Sequence, residues 1–342
     1  MKILILKPSS LGDVVQALPV LRLLKLHLPT SEIYWWIDTK LAPLIEGDPD
    51  LAGVVHFHRR RWAAPRHWPE IVRSIWWMRR QAFDWVIDLQ CLMRSGIFAW
   101  FANGKLTVGL DEPREGARGF YDLIVQRPSP QTHAVDWYLK VLPLLGVPVH
   151  WNFQWLPERP APAQAVRQKW PANGAPWVVL QPGARWLNKR WPIEYYAELV
   201  RELAAKRPDM RFAVLGSDDE QALGAVISKI GGARCLDLTG KLSLPEMVEW
   251  LRRSQLLVTN DTGPMHVAAA LGKPVVALFG PTTPHRTGPY RQLAHVLQLP
   301  LPCVPSLSSR CTYPKPLECL RALPPSAAVQ AAMAQLSPMA AP

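Results

Sequence analysis

At 342 residues the chain is too long for one ordinary domain and suits two of roughly 150 residues each. Hydrophobic residues make up 49% and charged residues 19%, which allows two buried cores and argues against a disordered chain. The net charge of +12, from 39 basic and 27 acidic residues, favours anionic partners such as phosphorylated sugars, nucleic acid or an acidic membrane surface, without choosing among them.

Short apolar runs alternate with helical patterns, the signature of parallel α/β architecture. The first half predicts strands at Lys2–Leu6, Ile33–Ile37, Val54–Phe57, Trp85–Leu89 and Leu106–Gly109. Helices are expected between them, as at Asp13–His27 and Glu70–Phe83, with Pro19 interrupting or kinking the first. The proline-rich run around residues 156–165 reads as an interdomain linker, followed by a short helix at Ala163–Lys169. A second α/β set then predicts strands at Trp177–Leu180, Arg211–Leu215, Cys235–Asp237, Leu256–Thr259 and Val275–Phe279. Its helices are expected at Ile193–Lys206, Asp218–Ile230, Pro245–Arg252 and Pro264–Leu271. The domains are therefore expected at 1–155 and 156–337, with a frayed tail at 338–342. In doubly wound sheets ligands bind beyond the carboxyl ends of the strands, so the cleft between two such halves is the expected site.

Met1-Lys2 leads straight into Ile3–Leu6, too short for a secretory signal core, and no apolar stretch reaches the length of a membrane span. A cytoplasmic chain with reduced thiols is expected. Gly-x-Gly-x-x-Gly, Walker A and His-Glu-x-x-His motifs are missing, and no nucleic-acid module is recognisable. Cys303, Cys311 and Cys319 are evenly spaced, but three thiols fall short of a four-ligand zinc site, so no metal is expected.

Five segments could carry chemistry. In Leu256–Gly272 a strand runs into Asn260-Asp261-Thr262-Gly263, and Pro264 opens a helix whose free N–H groups could hold an anion. The Thr262 hydroxyl would add a donor, Gly263 would let a phosphate approach, and His266 lies in the first turn; the alternative is a purely structural helix cap. The basic loop Gln181–Pro192 contains Gly183, Ala184, Arg185 and Lys189 and suits a diphosphate, or is simply a solvated loop. Glu220, past a strand end, could accept from ribose hydroxyls, although Ser217-x-x-Glu220 is also a capping box. Asp13, in Lys7–Asp13 after the first strand, could act as a general base, although Ser10-x-x-Asp13 is again a capping box.

The fifth segment, residues 59–80, holds seven arginines (59, 60, 61, 66, 73, 79, 80) and one acid, Glu70, interleaved with Trp62, Trp68, Trp76 and Trp77. Ile71, Ile75, Met78 and Ala82 form a helical stripe expected in the core. The arginines outside it suit phosphates or an anionic membrane, or form an ordinary solvated face.

Together these segments resemble glycosyltransferase family 9, the ADP-heptose:lipopolysaccharide heptosyltransferases. The resemblance rests on Ser9-Ser10-Leu11-Gly12-Asp13, on Pro182-Gly183-Ala184 with Lys189-Arg190-Trp191-Pro192, and on Gly216 with Glu220. Asp261–His266 with Phe279-Gly280-Pro281-Thr282 completes it, and the order and spacing cover residues 1 to about 325. It implies a GT-B fold of two Rossmann-like domains, the first binding acceptor and the second binding donor. It further implies inverting transfer from ADP-heptose to the Kdo/heptose inner core of lipopolysaccharide (a Kdo-lipid A acceptor), by a monomer peripheral on the inner membrane and without a required cofactor.

By the same resemblance Asp13 is the base and Lys189 neutralises the leaving ADP. Thr262 and Gly263 bind phosphate with support from His266, Asp261 binds the donor sugar, Glu220 the ribose, and Leu242 packs on adenine. Ser10, Gly12, Arg59, Arg60 and Arg61 are expected on the acceptor side. One departure stands out: where some members carry adjacent threonines, this chain has Gly183-Ala184-Arg185, with Arg185 as a less directional substitute. A nucleotide-sugar 2-epimerase of the same architecture, or a non-catalytic nucleotide-sugar-binding protein, is the alternative.

Overall fold

The computed structural model describes residues 1–112, 115–171 and 174–336; the tail expected to fray at 338–342 lies outside them. The chain divides into two compact units, Met1–Pro157 and the residues from Glu158 onward. In the first unit the strands are β1 (Lys2–Leu6), β2 (Glu32–Asp38), β3 (Gly53–Phe57), β4 (Trp85–Asp88), β5 (Leu106–Leu110) and β6 (Leu123–Val125). The helices are α1 (Leu11–His27), α2 (Trp68–Arg80), α3 (Met93–Ala102), α4 (Ala134–Leu139) and α5 (Val141–Leu144). The second unit has β7 (Trp177–Gln181), β8 (Arg211–Val214), β9 (Cys235–Asp237), β10 (Leu256–Asn260), β11 (Val275–Phe279) and β12 (Val296–Gln298). Its helices are α6 (Pro160–Lys169), α7 (Ile193–Lys206), α8 (Gln221–Gly231), α9 (Leu244–Arg253), α10 (Gly263–Ala270), α11 (Pro284–Thr287), α12 (Glu318–Arg321) and α13 (Pro325–Gln335).

The first sheet runs β3-β2-β1-β4-β5-β6 and the second β12-β11-β10-β7-β8-β9, with every pairing parallel. Counted within its own unit, each sheet has the order 3-2-1-4-5-6 of doubly wound nucleotide-binding folds. Helices on both faces explain the continuous apolar strands: Ile3–Leu6 and Val275–Phe279 are fully buried. In the second unit Tyr196, Leu199, Val200 and Leu203 of α7, with Ala328, Val329 and Ala332 of α13, pack on Val178, Leu180, Val258 and Leu278. In the first, Trp36, Phe57, Trp62 and Phe98 form an aromatic cluster, with Trp62 stacked on Phe98 at 5.9 Å.

Four expectations change. Pro19 does not interrupt α1, which runs unbroken from Leu11 to His27 and is buried from Val14 to Leu24; that burial offsets the hydrogen bond Pro19 cannot donate. The segment read as linker turns helical at Pro160 rather than Ala163, because prolines in a helix's first turn lose no intrahelical bond. The helix expected to end at Phe83 stops at Arg80, so Ala82 is exposed at a positive φ of 50° instead of joining the core stripe. The helix expected from Asp218 begins with a tight 3₁₀ turn at Asp218–Glu220 before α8. Strands β6 and β12 were not anticipated. Among the described residues no helix is long and apolar enough to cross a membrane.

Gly109 of β5 lies under the Tyr121 ring, where an added Cβ would meet ring atoms at 2.3 Å. The Tyr121 hydroxyl donates to buried Asp88 at 2.8 Å, so the ring cannot simply move away. Gly109→Ala should therefore destabilise the protein by about 1–3 kcal/mol, the usual cost of overpacking. Gly119→Ala, whose Cβ meets nothing within 4 Å, should change stability by less than about 0.5 kcal/mol. Urea denaturation of the two variants beside the parent checks the contrast.

Candidate active site

In the second unit the strand order reverses between β7 and β10, whose register sets Gln181 beside Thr259. The loops that follow these strands, Pro182–Pro192 and Asp261-Thr262, therefore start side by side. Asn260, fully buried, joins them: its amide donates to the Pro182 carbonyl at 2.6 Å and its oxygen accepts from the Trp191 N–H at 3.1 Å. The Trp191 indole is anchored in turn, donating to the Leu323 carbonyl at 3.0 Å and packing on Tyr196. Arg190 Nε closes the loop on the Ala184 carbonyl at 2.8 Å.

This frame delivers Lys189 Nζ to within 2.5 Å of Asp261 Oδ2, with the ammonium 4.7 Å from the Trp186 ring centroid. Asp261 is buried and also accepts the Thr282 hydroxyl at 2.7 Å. Gln298 of β12 holds the Thr282 turn by donating to the carbonyls of Gly280 (2.9 Å) and Thr282 (2.7 Å). Thr262 caps α10, and its buried hydroxyl has no hydrogen-bond partner among the described residues. An unsatisfied buried hydroxyl calls for an explanation. Here it lies at a helix start, the arrangement that receives phosphate oxygens.

Glu220 explains two glycines. A Cβ on Gly183 would fall 1.9 Å from its Oε1, and one on Gly216 would meet Thr239 at 2.8 Å and Glu220 Oε2 at 3.1 Å. The buried carboxylate accepts the Ser217 N–H at 3.1 Å and pairs with Arg190 at 3.4 Å, so the capping box is present. Gly183, Ala184, Lys189, Glu220, Asp261, Thr262, Gly263 and buried His266 thus gather at the ends of β7, β8 and β10. Arg185 is exposed, and Leu242 sits half-buried on the loop after the edge strand β9. Sequence reasoning missed Asn260, Thr282, Arg190 and Gln298 as site-builders. The first three stand inside the quoted motifs, but Gln298 lies on a strand too short to see.

In the first unit Asp13 occupies the first turn of α1 and its Oδ2 accepts both the backbone N–H and the hydroxyl of Ser10, at 2.9 and 2.6 Å. The cap is therefore real, with Gly12 buried and Asp13 half-buried. Lys7, which carried no assigned role, is buried at the end of β1, donates to the Leu89 carbonyl at 2.8 Å and lies 4.6 Å from the Tyr138 ring centroid. Burial alone would lower its pKa, but Tyr138 and Asp13 outweigh it and leave the ammonium above its usual value. Asp88, beneath the same strand ends, is pushed up by burial although Cys91, Ser95 and Tyr121 donate to it.

Arg59 and Arg60 are exposed. Arg61 is committed to Glu70 at 2.5 Å, and this bond together with His67 holds the Glu70 carboxyl down at about 2. The Trp62 indole also donates to Glu70, at 3.2 Å, which fixes the arginine loop to the start of α2. A cavity of about 540 Å³ between β3 and α2 is lined by His56, His58, Arg61, Glu70, Arg73 and Trp77. Among the described residues no group of three or more His, Cys, Asp or Glu could hold a metal ion, and all five cysteines are free.

The family model described as glycosyltransferase family 9 (heptosyltransferase) matches residues 71–316. The chain belongs to this family. It is therefore a glycosyltransferase, and the family-9 motifs expected from the sequence fall on the loops described above. Lipopolysaccharide heptosyltransferase 1 of Pseudomonas aeruginosa is 29% identical over 324 residues, covering 92% of this chain and 88% of the relative. Lipopolysaccharide heptosyltransferase 2 of Escherichia coli is 26% identical, covering 87% and 88%. Among solved structures, E. coli heptosyltransferase WaaC with ADP superposes with a TM-score of 0.78 at 25% identity, covering 98% of this chain and all of the other. E. coli ADP-heptose lps heptosyltransferase II gives 0.77 at 23% identity, with 98% of each chain covered. The two Rossmann-like units are those of the expected GT-B class.

The unpartnered Thr262 hydroxyl yields a sharp expectation. Thr262→Val keeps the shape and removes a buried group that lacks a bond, so unliganded stability should be unchanged or higher. Affinity for a nucleoside diphosphate should fall at least ten-fold, since a hydrogen bond to a charged group is worth about 1.5–3 kcal/mol. Thermal melting and calorimetric titration decide it: a lower Tm with unchanged affinity would make the hydroxyl a fold contact only.

Proposed function

We propose that this protein transfers a heptose from ADP-heptose to the inner core of lipopolysaccharide, a Kdo-bearing lipid A, with inversion at the anomeric carbon. The observation that carries the reading is the set at the ends of β7 and β10: Lys189 on Asp261, beside the unpartnered Thr262 hydroxyl at the start of α10. Relatives named as lipopolysaccharide heptosyltransferases along most of their length support it.

On this reading the donor diphosphate takes the Lys189 ammonium, the Thr262 hydroxyl and the first N–H groups of α10, with His266 supporting the turn. Asp261 turns to the sugar hydroxyls. Glu220 and the Gly183-Ala184 backbone face the ribose, Leu242 packs on the adenine, and Arg185 adds charge at the rim. Asp13 takes the proton of the acceptor hydroxyl as its oxygen attacks the anomeric carbon. The bond to the diphosphate breaks on the opposite face. The charge that develops on ADP is met by Lys189 and the helix start, fixed in place before the reaction. The domain limits 1–155 and 156–337 then separate an acceptor half from a donor half. Ser10, Gly12 and Arg59–Arg61 serve the acceptor, and a monomer works on the cytoplasmic face of an anionic inner membrane.

The test is to incubate the protein with ADP-heptose and Kdo-bearing lipid A, with an already heptosylated acceptor in parallel, and to assay ADP and product. Release of ADP with a product heavier by one heptose is expected. Turnover of the nucleotide sugar without acceptor would point to an isomerase instead, and nucleotide binding without either would leave a binding protein. Lys189→Ala should cut turnover at least ten-fold, the loss of one charge-assisted phosphate contact.

Asp13→Asn separates base from cap. Asn caps a helix about as well as Asp, so stability and donor affinity should barely change. General-base catalysis contributes about 10²–10⁴-fold, so kcat should fall by that order. A near-parental kcat would leave Asp13 a cap alone. On the acceptor side, replacing Arg59, Arg60 and Arg61 by Gln should raise the acceptor KM and leave the Kd for ADP-heptose unchanged. An equal loss of donor affinity would refute the division of labour between the units.

A further inference from the structure

Helix α2 has one buried side, Met78 with the partly buried Ile71 and Ile75 on the first unit's core. The side adjoining it exposes Trp68 (57%), Val72 (66%) and Trp76 (55%). At four-residue spacing these three form a stripe along successive turns. Single exposed apolar residues are ordinary on protein surfaces, but three large ones in a line are not. Arg73, Arg79 and Arg80 of α2 are exposed, as is Arg66 just before it. None of the four has a carboxylate partner among the described residues. The only acid of the helix, Glu70, is committed to Arg61, His67 and Trp62. Arg80 lies over the Trp76 ring at 4.0 Å, so cation and aromatic form one surface.

The charges decide what this face fits. A second copy docked face to face would bring two unpaired arginine sets together. An anionic lipid surface supplies phosphodiester oxygens for guanidinium groups and an interfacial layer where tryptophan settles. A short amphipathic helix with aromatics on one face and arginines beside them lies in the plane of such a surface.

We infer that α2 is an in-plane anchor that seats Trp68, Val72 and Trp76 in the interface of an anionic leaflet, with Arg66, Arg73, Arg79 and Arg80 on the headgroups. This deepens the membrane partnership of the proposed function by naming the element that makes the contact. The Arg61–Glu70 bond ties the Arg59–Arg61 loop to the first turn of α2, so an anchored helix presents that loop at the membrane surface, where a lipid-borne acceptor resides.

The experiment uses the full chain, with no donor present, and sedimentation with phosphatidylcholine vesicles against phosphatidylglycerol-rich vesicles. The variants are Trp68→Ser/Val72→Ser/Trp76→Ser combined, and Arg73→Gln/Arg79→Gln/Arg80→Gln combined. All replaced side chains are exposed, and unchanged melting confirms the fold. The parent should bind only the anionic vesicles, more weakly as salt rises. The serine variant should bind at least ten-fold more weakly even at low salt, and the glutamine variant should lose its preference for anionic lipid. With a deacylated, soluble acceptor the serine variant should keep parental turnover, while with vesicle-embedded acceptor turnover should drop.

A parent that ignores anionic vesicles overturns the inference. So does parental binding by the serine variant, which would mean adsorption by charge alone. A parent that sediments as a dimer while the serine variant is a monomer would make the face a contact between copies. Absence of transfer with either acceptor would count against the proposed function, whereas the vesicle result is read without transfer.

Discussion

The side-by-side placement of β7 and β10 is the constraint on which the second unit's candidate site depends. Parallel pairing brings both carboxyl ends out at the same edge, and the Gln181–Thr259 register sets the two loops level. Asn260 then uses both ends of one amide to hold them, on Pro182 and on Trp191. Nothing hydrophobic could do this, because two buried backbone groups need a donor and an acceptor at once. The loop so fixed has little freedom left, and Lys189 meets Asp261 as a consequence of where its backbone is held. Thr282, on the turn after β11, donates to the same Asp261 oxygen, and Gln298 of β12 holds that turn through the carbonyls of Gly280 and Thr282.

The first unit repeats the constraint with different chemistry. Its first and fourth strands are again neighbours, and buried Lys7 bridges them by donating to Leu89 past the end of β4. A buried ammonium is stable only with partners, and Tyr138 and Asp13 provide them. Asp13 is therefore held by the Ser10 cap and lies within electrostatic reach of the Lys7 ammonium. A cap and a base are compatible roles, since the cap aims the carboxylate that a base would use.

The parts of this molecule that were legible in the sequence are those set by local pattern. Strands with several consecutive apolar residues, such as Ile3–Leu6 and Val275–Phe279, announce themselves because both faces of a parallel sheet are covered. The edge strands β6 and β12, three residues each, carry no such signal. Helix starts at Ser10, Ser217 and Thr262 could be read from capping chemistry, and they located the loops where the site residues gather. What could not be read is which side chain meets which across the sheet. The Lys189–Asp261 pair spans 72 positions and the Lys7–Leu89 bond 82, so both exist only through strand order. Glu220 shows the same limit: its capping partner is three residues away, but its fit against Gly183 depends on β7 and β8 being neighbours.

The candidate site of the second unit balances its own charge, and that bears on what it would accept. Lys189 and Asp261 neutralise one another at 2.5 Å, both largely withdrawn from water. Taking one partner away would leave the other a buried charge, which is costly. On the proposed reading a diphosphate alone can draw the ammonium from the carboxylate, because it brings more negative charge to the same spot together with the helix start and Thr262. The carboxylate so released would then need donors beyond the one Thr282 supplies, and a sugar attached to that diphosphate carries hydroxyls that could provide them. A nucleoside diphosphate lacking the sugar would break the same ion pair without satisfying Asp261. On that reading the pair would favour the complete donor over the spent nucleotide, by an energy that lies in hydrogen bonds to the sugar rather than in any added contact to phosphate.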